Sequence, residues 1–211
     1  MAEIEAAGGT ALAVRADVTD LDAVLRLVAT VVETFGGIDV LVNNAGNVGA
    51  DRGFEADPPP FWETGPEEWQ AWFDVNLFGV MNCSRAVLPV MIERGGGRIV
   101  TLVSDAGRVG EPFLVPYSAA KAGAAGFVRS LAKAVGRHGI TANTVSLGTV
   151  RSEERGGPDE ETAAAMLRRY VIRRFGRPAD VAAVVLLLAS DASSWITGQT
   201  IPVNGGYSMA T

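Results

Sequence analysis

Five short runs rich in valine and isoleucine alternate with long amphipathic or alanine-rich stretches, and this alternation constrains the fold more than any other feature of the 211 residues. The runs are ALAVRA (11–16), IDVLVN (38–43), GRIVTLVS (97–104), ITANTVS (140–146) and QTIPVN (199–204). The stretches between them, 20–35, 66–93, 117–137 and 178–189, carry helical periodicity. Pro66 and Pro178 suit first helical turns, and Pro89 is expected to kink its helix. Strand alternating with helix means parallel βαβ units. The runs are apolar throughout, as they must be when both faces of a sheet are covered. A single α/β domain spanning 1–211 is the expectation.

Composition narrows the classes. With 48% hydrophobic residues, 20% charged residues and 25 glycines, the chain has material for one full core and punctuation for many turns. A net charge of -6 argues against nucleic acid as a partner. Cys83 is alone and cannot close an internal disulfide, and the acidic, alanine-rich start lacks the pattern of a signal peptide. A reducing cytoplasm is the expected location. The longest apolar stretch, VAAVVLLLA (181–189), is about half a membrane span, so no membrane association is expected.

YSAAK (117–121) sets Tyr117 four residues ahead of Lys121, one of only two lysines among the 18 basic residues. On a helix these two share a face. An ammonium about 4 Å from a phenolate, at an effective dielectric near 20, is worth about 4 kcal/mol, enough to draw the phenol's ionisation down toward neutral pH. Such a tyrosine serves as general acid or base. The bland alternative is a surface helix that happens to carry both residues, and spacing alone leaves the two readings level.

Ser104 lies thirteen residues before Tyr117, closing RIVTLVS and followed by DAG. Further upstream, NNAG (43–46) closes another run, and DVNLFG (74–79) lies inside the long helical stretch. In order and spacing these motifs resemble the classical short-chain dehydrogenase/reductase family. The likeness extends from ADVTD (16–20) through GRPADVAAVVLLLASDASSWITGQTIPVNGGY (176–207), nearly the whole chain. The resemblance implies a Rossmann-like, doubly wound parallel sheet and oxidoreduction of a secondary alcohol or ketone with NAD or NADP. It implies that Asn76, Ser104, Tyr117 and Lys121 form a catalytic tetrad. Tyr117 would exchange the proton, Ser104 would hydrogen-bond the same substrate oxygen, Lys121 would hold the nicotinamide ribose, and Asn76 would anchor a proton-relaying water. Asp17 and Val18 would face the adenine, and Asn43, Ala45 and Gly46 would line the adenosine and ribose side. The backbone after Gly148 would meet the carboxamide near Val150 and Ser152. Position 147, leucine here, is usually proline in the family.

The start of the chain departs further. A dinucleotide-binding unit opens with a strand, a glycine-rich turn and a helix N-terminus that receives pyrophosphate. EIEAAGG (3–9) resembles the tail of the family's second helix, so the sheet is expected to be N-terminally truncated, without its first two strands and first helix. Weak or absent NAD(P) binding is expected of these 211 residues. Three readings compete: a dehydrogenase lacking its ancestral start, a cofactor-independent enzyme performing elimination, isomerisation or cyclisation, and a noncatalytic binding subunit. The truncation also predicts that 11–15 slides inward to pair with 38–42, unless a partner chain covers that edge.

Other features carry less. His138 closes a helix and suits its dipole. RRYVIRR (168–174) with Arg177 concentrates five arginines, either a solvated face or a site for the phosphates of an acyl thioester. Phe61, Trp62, Trp69 and Trp72 read as core and loop packing. Ala119, Ala122, Gly123 and Gly126 offer a small-residue surface for another helix, so a homodimer or homotetramer is expected.

Overall fold

A computed structural model of the chain describes residues 1–47, 59–151 and 158–209. In chain order its elements are α1 (Ala2–Ala6), α2 (Leu21–Phe35), β1 (Val40–Asn43), a 3₁₀ turn at Phe61–Glu63, α3 (Pro66–Phe73), a π turn at Asp74–Phe78 and α4 (Gly79–Arg94). There follow β2 (Gly97–Ser104), α5 (Ala106–Val109), α6 (Val115–Val135), β3 (Ile140–Leu147), α7 (Glu160–Leu167), α8 (Pro178–Ala189) and β4 (Thr200–Val203). The strands form one sheet in the order β1-β2-β3-β4, every pair parallel.

Alternation along the strands sorts side chains onto the two faces. Ile99, Ile140 and Ala142 point to the face covered by α4 and α6, where they pack with Val87, Met91, Val128 and Val135. Val100 and Val145 point to the opposite face and meet Val181 and Leu188 of α8. Helices on both sides explain why the strands are apolar throughout. Local signals place the helix ends: Asp20 caps α2 by accepting from the amides of Asp22 and Ala23, and Gly36 ends it in the left-handed region at φ 81°.

One expectation gives way. Residues 11–16 are not a strand, and no pairing joins them to β1. A strand needs a ladder partner. This segment is instead attached through its end, where the Val18 side chain sits against Gly79 and Asn82 Nδ2 donates to the Val18 carbonyl at 3.0 Å. The stretch at 66–93 is helical as expected, one helix from Pro66 to Arg94 that winds wider through the π turn, with Pro89 inside α4. Pro66–Arg94 has the length and apolar content of a membrane span, and it packs on α2, α6 and the sheet.

Because the strands are parallel, the carboxyl ends of β1, β2 and β3 open to one side. The residues that follow or close them, Gly46, Ser104 and Gly148, are thereby brought to the same rim.

Candidate active site

Tyr117 and Lys121 lie on the first turns of α6, four apart on one face, and both are buried, at 8% and 6% exposure. Lys121 Nζ donates to the carbonyl of Leu102 at 3.1 Å and stands 5.8 Å from the centre of the Tyr117 ring. Ser104 ends β2, with its hydroxyl near enough to the Tyr117 phenol to favour the phenolate. Ser104 Oγ also accepts from the amide of Ala106 at 3.2 Å, which fixes it within the turn into α5. That turn reaches α6 through Gly107: a Cβ there would come within 2.7 Å of the Ala122 nitrogen and 3.0 Å of the Lys121 carbonyl carbon.

Asn76 sits in the π turn, fully buried. Its Nδ2 donates to Asn47 Oδ1 at 2.8 Å and to the carbonyls of Asn47 and Trp72 at 3.0 Å, while its Oδ1 accepts from the Asn47 amide at 3.3 Å. Gly46 brings this cluster to the lysine. A Cβ at Gly46 would lie 3.1 Å from Asn76 Oδ1 and 3.3 Å from Lys121 Nζ. All four residues assigned to the tetrad therefore converge at the rim.

The ionisation differs from what spacing suggests. Burial pushes the Tyr117 phenol up, against a smaller lowering from the Ser104 hydrogen bond. Burial also draws Lys121 down to about 8. The expected depression of the tyrosine by its lysine is thus corrected: spacing locates an attractive charge, whereas the desolvation of both groups depends on how deeply α6 is set into the fold. Tyr117 holds its proton at neutral pH and is a donor.

The residues assigned to the cofactor spread around the same rim. Asp17 is exposed and accepts from the Thr19 amide and hydroxyl at 2.9 and 2.8 Å. Val18 is docked on Gly79. Asn43 is buried, and its Nδ2 donates to Thr101 Oγ1 at 3.1 Å and Ser84 Oγ at 3.4 Å, so its side chain stitches β1 to β2 and α4 rather than pointing outward. Ala45 and Gly46 are exposed beyond β1. Gly148 and Val150 line a cavity of about 320 Å³ together with Tyr170, Arg174 and Asn204. Neither Tyr117 nor Ser104 lines it, so the cavity lies beside the reacting groups and not over them. Ser152 lies outside the described residues.

The Gly46 and Lys121 arrangement fits the ribose end of a nicotinamide dinucleotide: a backbone with no side chain to obstruct approach beside a buried cation whose one hydrogen bond given above is to a backbone carbonyl. Sequence reasoning missed two neighbours. Trp72 meets the Tyr117 ring edge-on at 6.3 Å, and Gly107 permits the contact of α5 with α6. The glycine of DAG was the available signal for the second; nothing in the spacing marked the first. Of the other aromatics, Phe61 stacks on Trp69 at 4.9 Å, but Trp62 is 82% exposed and packs no core.

The model of the enoyl-(acyl carrier protein) reductase family matches residues 1–208. A 3-oxoacyl-acyl-carrier-protein reductase of Synechocystis is 40% identical over 210 residues, covering 99% of this chain and 81% of that protein. The 3-oxoacyl-acyl-carrier-protein reductase FabG of Staphylococcus aureus is 39% identical over 207 residues, with 98% and 81% covered. The short-chain reductase protein NovJ of Streptomyces niveus is 38% identical, with 98% and 78% covered. Among solved structures, a putative short-chain alcohol dehydrogenase of Sinorhizobium meliloti matches with a TM-score of 0.89 at 36% identity, covering 98% of this chain and 79% of that one. These relatives are named as reductases or a dehydrogenase, and neither the cofactor-independent nor the noncatalytic reading finds support among them.

Proposed function

Because the chain belongs to the short-chain dehydrogenase/reductase family of oxidoreductases, we propose that it reduces the ketone of a 3-oxoacyl thioester to the secondary alcohol with NADH or NADPH. The observation that carries this reading is the convergence of a protonated Tyr117, the Ser104 hydroxyl and the Lys121 ammonium at one rim. A reduced nicotinamide, when bound, supplies the hydride. Lys121, Gly46 and the backbone from Gly148 to Val150 would hold its ribose and carboxamide.

The protein's own part is proton delivery. The Tyr117 hydroxyl gives its proton to the ketone oxygen as that oxygen gains charge, and Ser104 donates a hydrogen bond to the same oxygen. The Lys121 ammonium steadies the phenolate left behind, and Asn76, locked in the π turn, holds the proton path in place. A thioester substrate is favoured by the arginines near α7 and α8. Arg168, Arg173 and Arg177 are exposed, while Arg174 is held bidentate by Asp180 at 2.6 and 2.9 Å. They suit the phosphate of a pantetheine arm or an acidic carrier surface.

The test is oxidation of NADPH or NADH in the presence of acetoacetyl-CoA, followed at saturating cofactor. Tyr117→Phe is expected to lower turnover at least about 100-fold. Equal turnover in that variant, or no turnover by the parent chain with either cofactor, would refute the assignment.

A further inference from the structure

The residue after Ser104 is an aspartate only 2% exposed. Donors from two distant parts of the chain and from the adjoining α5 meet its carboxylate. From β3, Ser146 Oγ donates to Oδ1 at 2.6 Å, and from α5 Arg108 Nη1 donates to the same oxygen at 3.0 Å. From the segment after β4, Asn204 Nδ2 and Ser208 Oγ donate to Oδ2 at 2.5 and 2.6 Å. Arg108 continues to Ser208 Oγ at 2.9 Å and to the Met209 carbonyl at 3.0 Å. The Asp105 amide donates to the Leu147 carbonyl at 2.9 Å, prolonging the contact of β2 with β3 by one residue.

A buried carboxylate holds its charge only when donors replace water, and here both oxygens are satisfied, one cation being among the donors. Those hydrogen bonds keep the carboxyl below its ordinary range despite burial. The proposed reaction has no use for this charge. Its place explains it: the carboxylate sits in the turn that aims Ser104. The amides of Arg108 and Val109 return to the Asp105 carbonyl at 2.8 and 2.9 Å, and Ser104 Oγ is tied to the Ala106 amide within the same turn.

We propose that Asp105 is a positioning residue: by clamping Asn204–Met209 and the end of β3 onto the turn after β2, it fixes the direction of the Ser104 hydroxyl toward Tyr117. This rests on the reading of Ser104 and Tyr117 as the reacting pair. The C-terminal segment becomes a support of the active site although it supplies no group that touches substrate.

The test reads Tyr117 itself, by ¹³C NMR of ζ-labelled tyrosine titrated with pH, its signal identified by its loss in Tyr117→Phe. Ser104→Ala removes the bond that favours the phenolate and is expected to move the Tyr117 ionisation upward. Asp105→Ala is expected to move it the same way and to add nothing in the Ser104→Ala background. Amide exchange is expected to accelerate at least about tenfold at 104–109 and at 204–209 together. Turnover should fall through kcat with KM kept. If Asp105→Ala does not fold, Ser208→Ala and Asn204→Ala, which remove one donor each, carry the same readings in smaller measure. An Asp105 or tail variant whose Tyr117 signal titrates as in the parent, while that of Ser104→Ala has moved, would overturn the proposal. If the signal of Ser104→Ala has not moved, the pairing of Ser104 with Tyr117 fails and the positioning role with it.

Discussion

Burial at Lys121 sets how the site answers to pH. With its ammonium drawn down to about 8, the lysine is charged through neutrality and loses its proton just above. Reduction needs that charge and a protonated Tyr117, whose own ionisation is pushed up and out of the way. The value of kcat/KM for the ketone is therefore expected to be level below about pH 8 and to fall about tenfold per unit above it, as a pH-rate profile will show. Stability moves oppositely. The folded lysine releases its proton at lower pH than the unfolded one, so unfolding takes up a proton between about 8 and 10.5 and stability rises with pH across that window. Urea midpoints of the parent and of Lys121→Met, compared from pH 7 to 10, should show this rise only in the parent. Spacing made the Tyr117 and Lys121 pair legible in the sequence. The sign of the tyrosine's shift was not legible, because it depends on depth in the fold, and Asp105 escaped because all its donors but Arg108 lie 41, 99 and 103 residues away.

At the scale of elements, α5 and α6 touch through a glycine. Gly107→Ala puts a methyl group within 2.7 Å of backbone that cannot yield, so α5 must lift from α6 and carry Ser104 with it. A loss of about 1–3 kcal/mol in urea denaturation is expected, with turnover falling alongside. Gly110, at φ 81° with open space around it, would lose stability on substitution through its backbone and leave that contact intact. The element pattern itself was largely legible: β2 and α8 occupy the residues that periodicity marked, because each is a continuous apolar run with a clear stop. Residues 11–16 carried the same apolar signal and form no strand, since composition announces a strand but only a neighbour makes one. The helix N-termini bear on cofactor affinity. Asp20 caps α2, Asp159 caps α7, and the Asp180 carboxylate accepts from the Arg177 amide at the start of α8. At these three N-termini a carboxylate already stands where pyrophosphate would seek amides. For these 211 residues alone, titration calorimetry is expected to find NADPH affinity weaker than micromolar.

For the whole molecule, the uncovered surfaces matter most. Phe78 and Met81 are 45% and 38% exposed, and the small residues Ala119 and Ala122 of α6 are also exposed. Two such faces placed together would bury apolar surface and bring helices close. Light scattering at micromolar concentration is expected to give a dimer or tetramer, and Ala122→Arg a smaller particle. A second surface follows from the sheet: Val40 and Val42 face the side on which α8 covers β2 to β4, and at 38% and 41% exposure they lie beyond its reach. The π turn shapes the molecule in another way. Its wider winding adds one residue between the half of the long helix that lies on α6 and the half that lies on the sheet and α2. Removing a single residue there would let the turn close to α-helical winding with both halves still in phase, so Met91 would stay in the core and Trp72 on α6 while Asn76 lost its place. In this helix the count of residues is as much a functional property as their identity: a deletion at 74–78 would spare the core and undo the Asn76 cluster, whereas a deletion on either side of the turn would rotate one half against the other by about 100°.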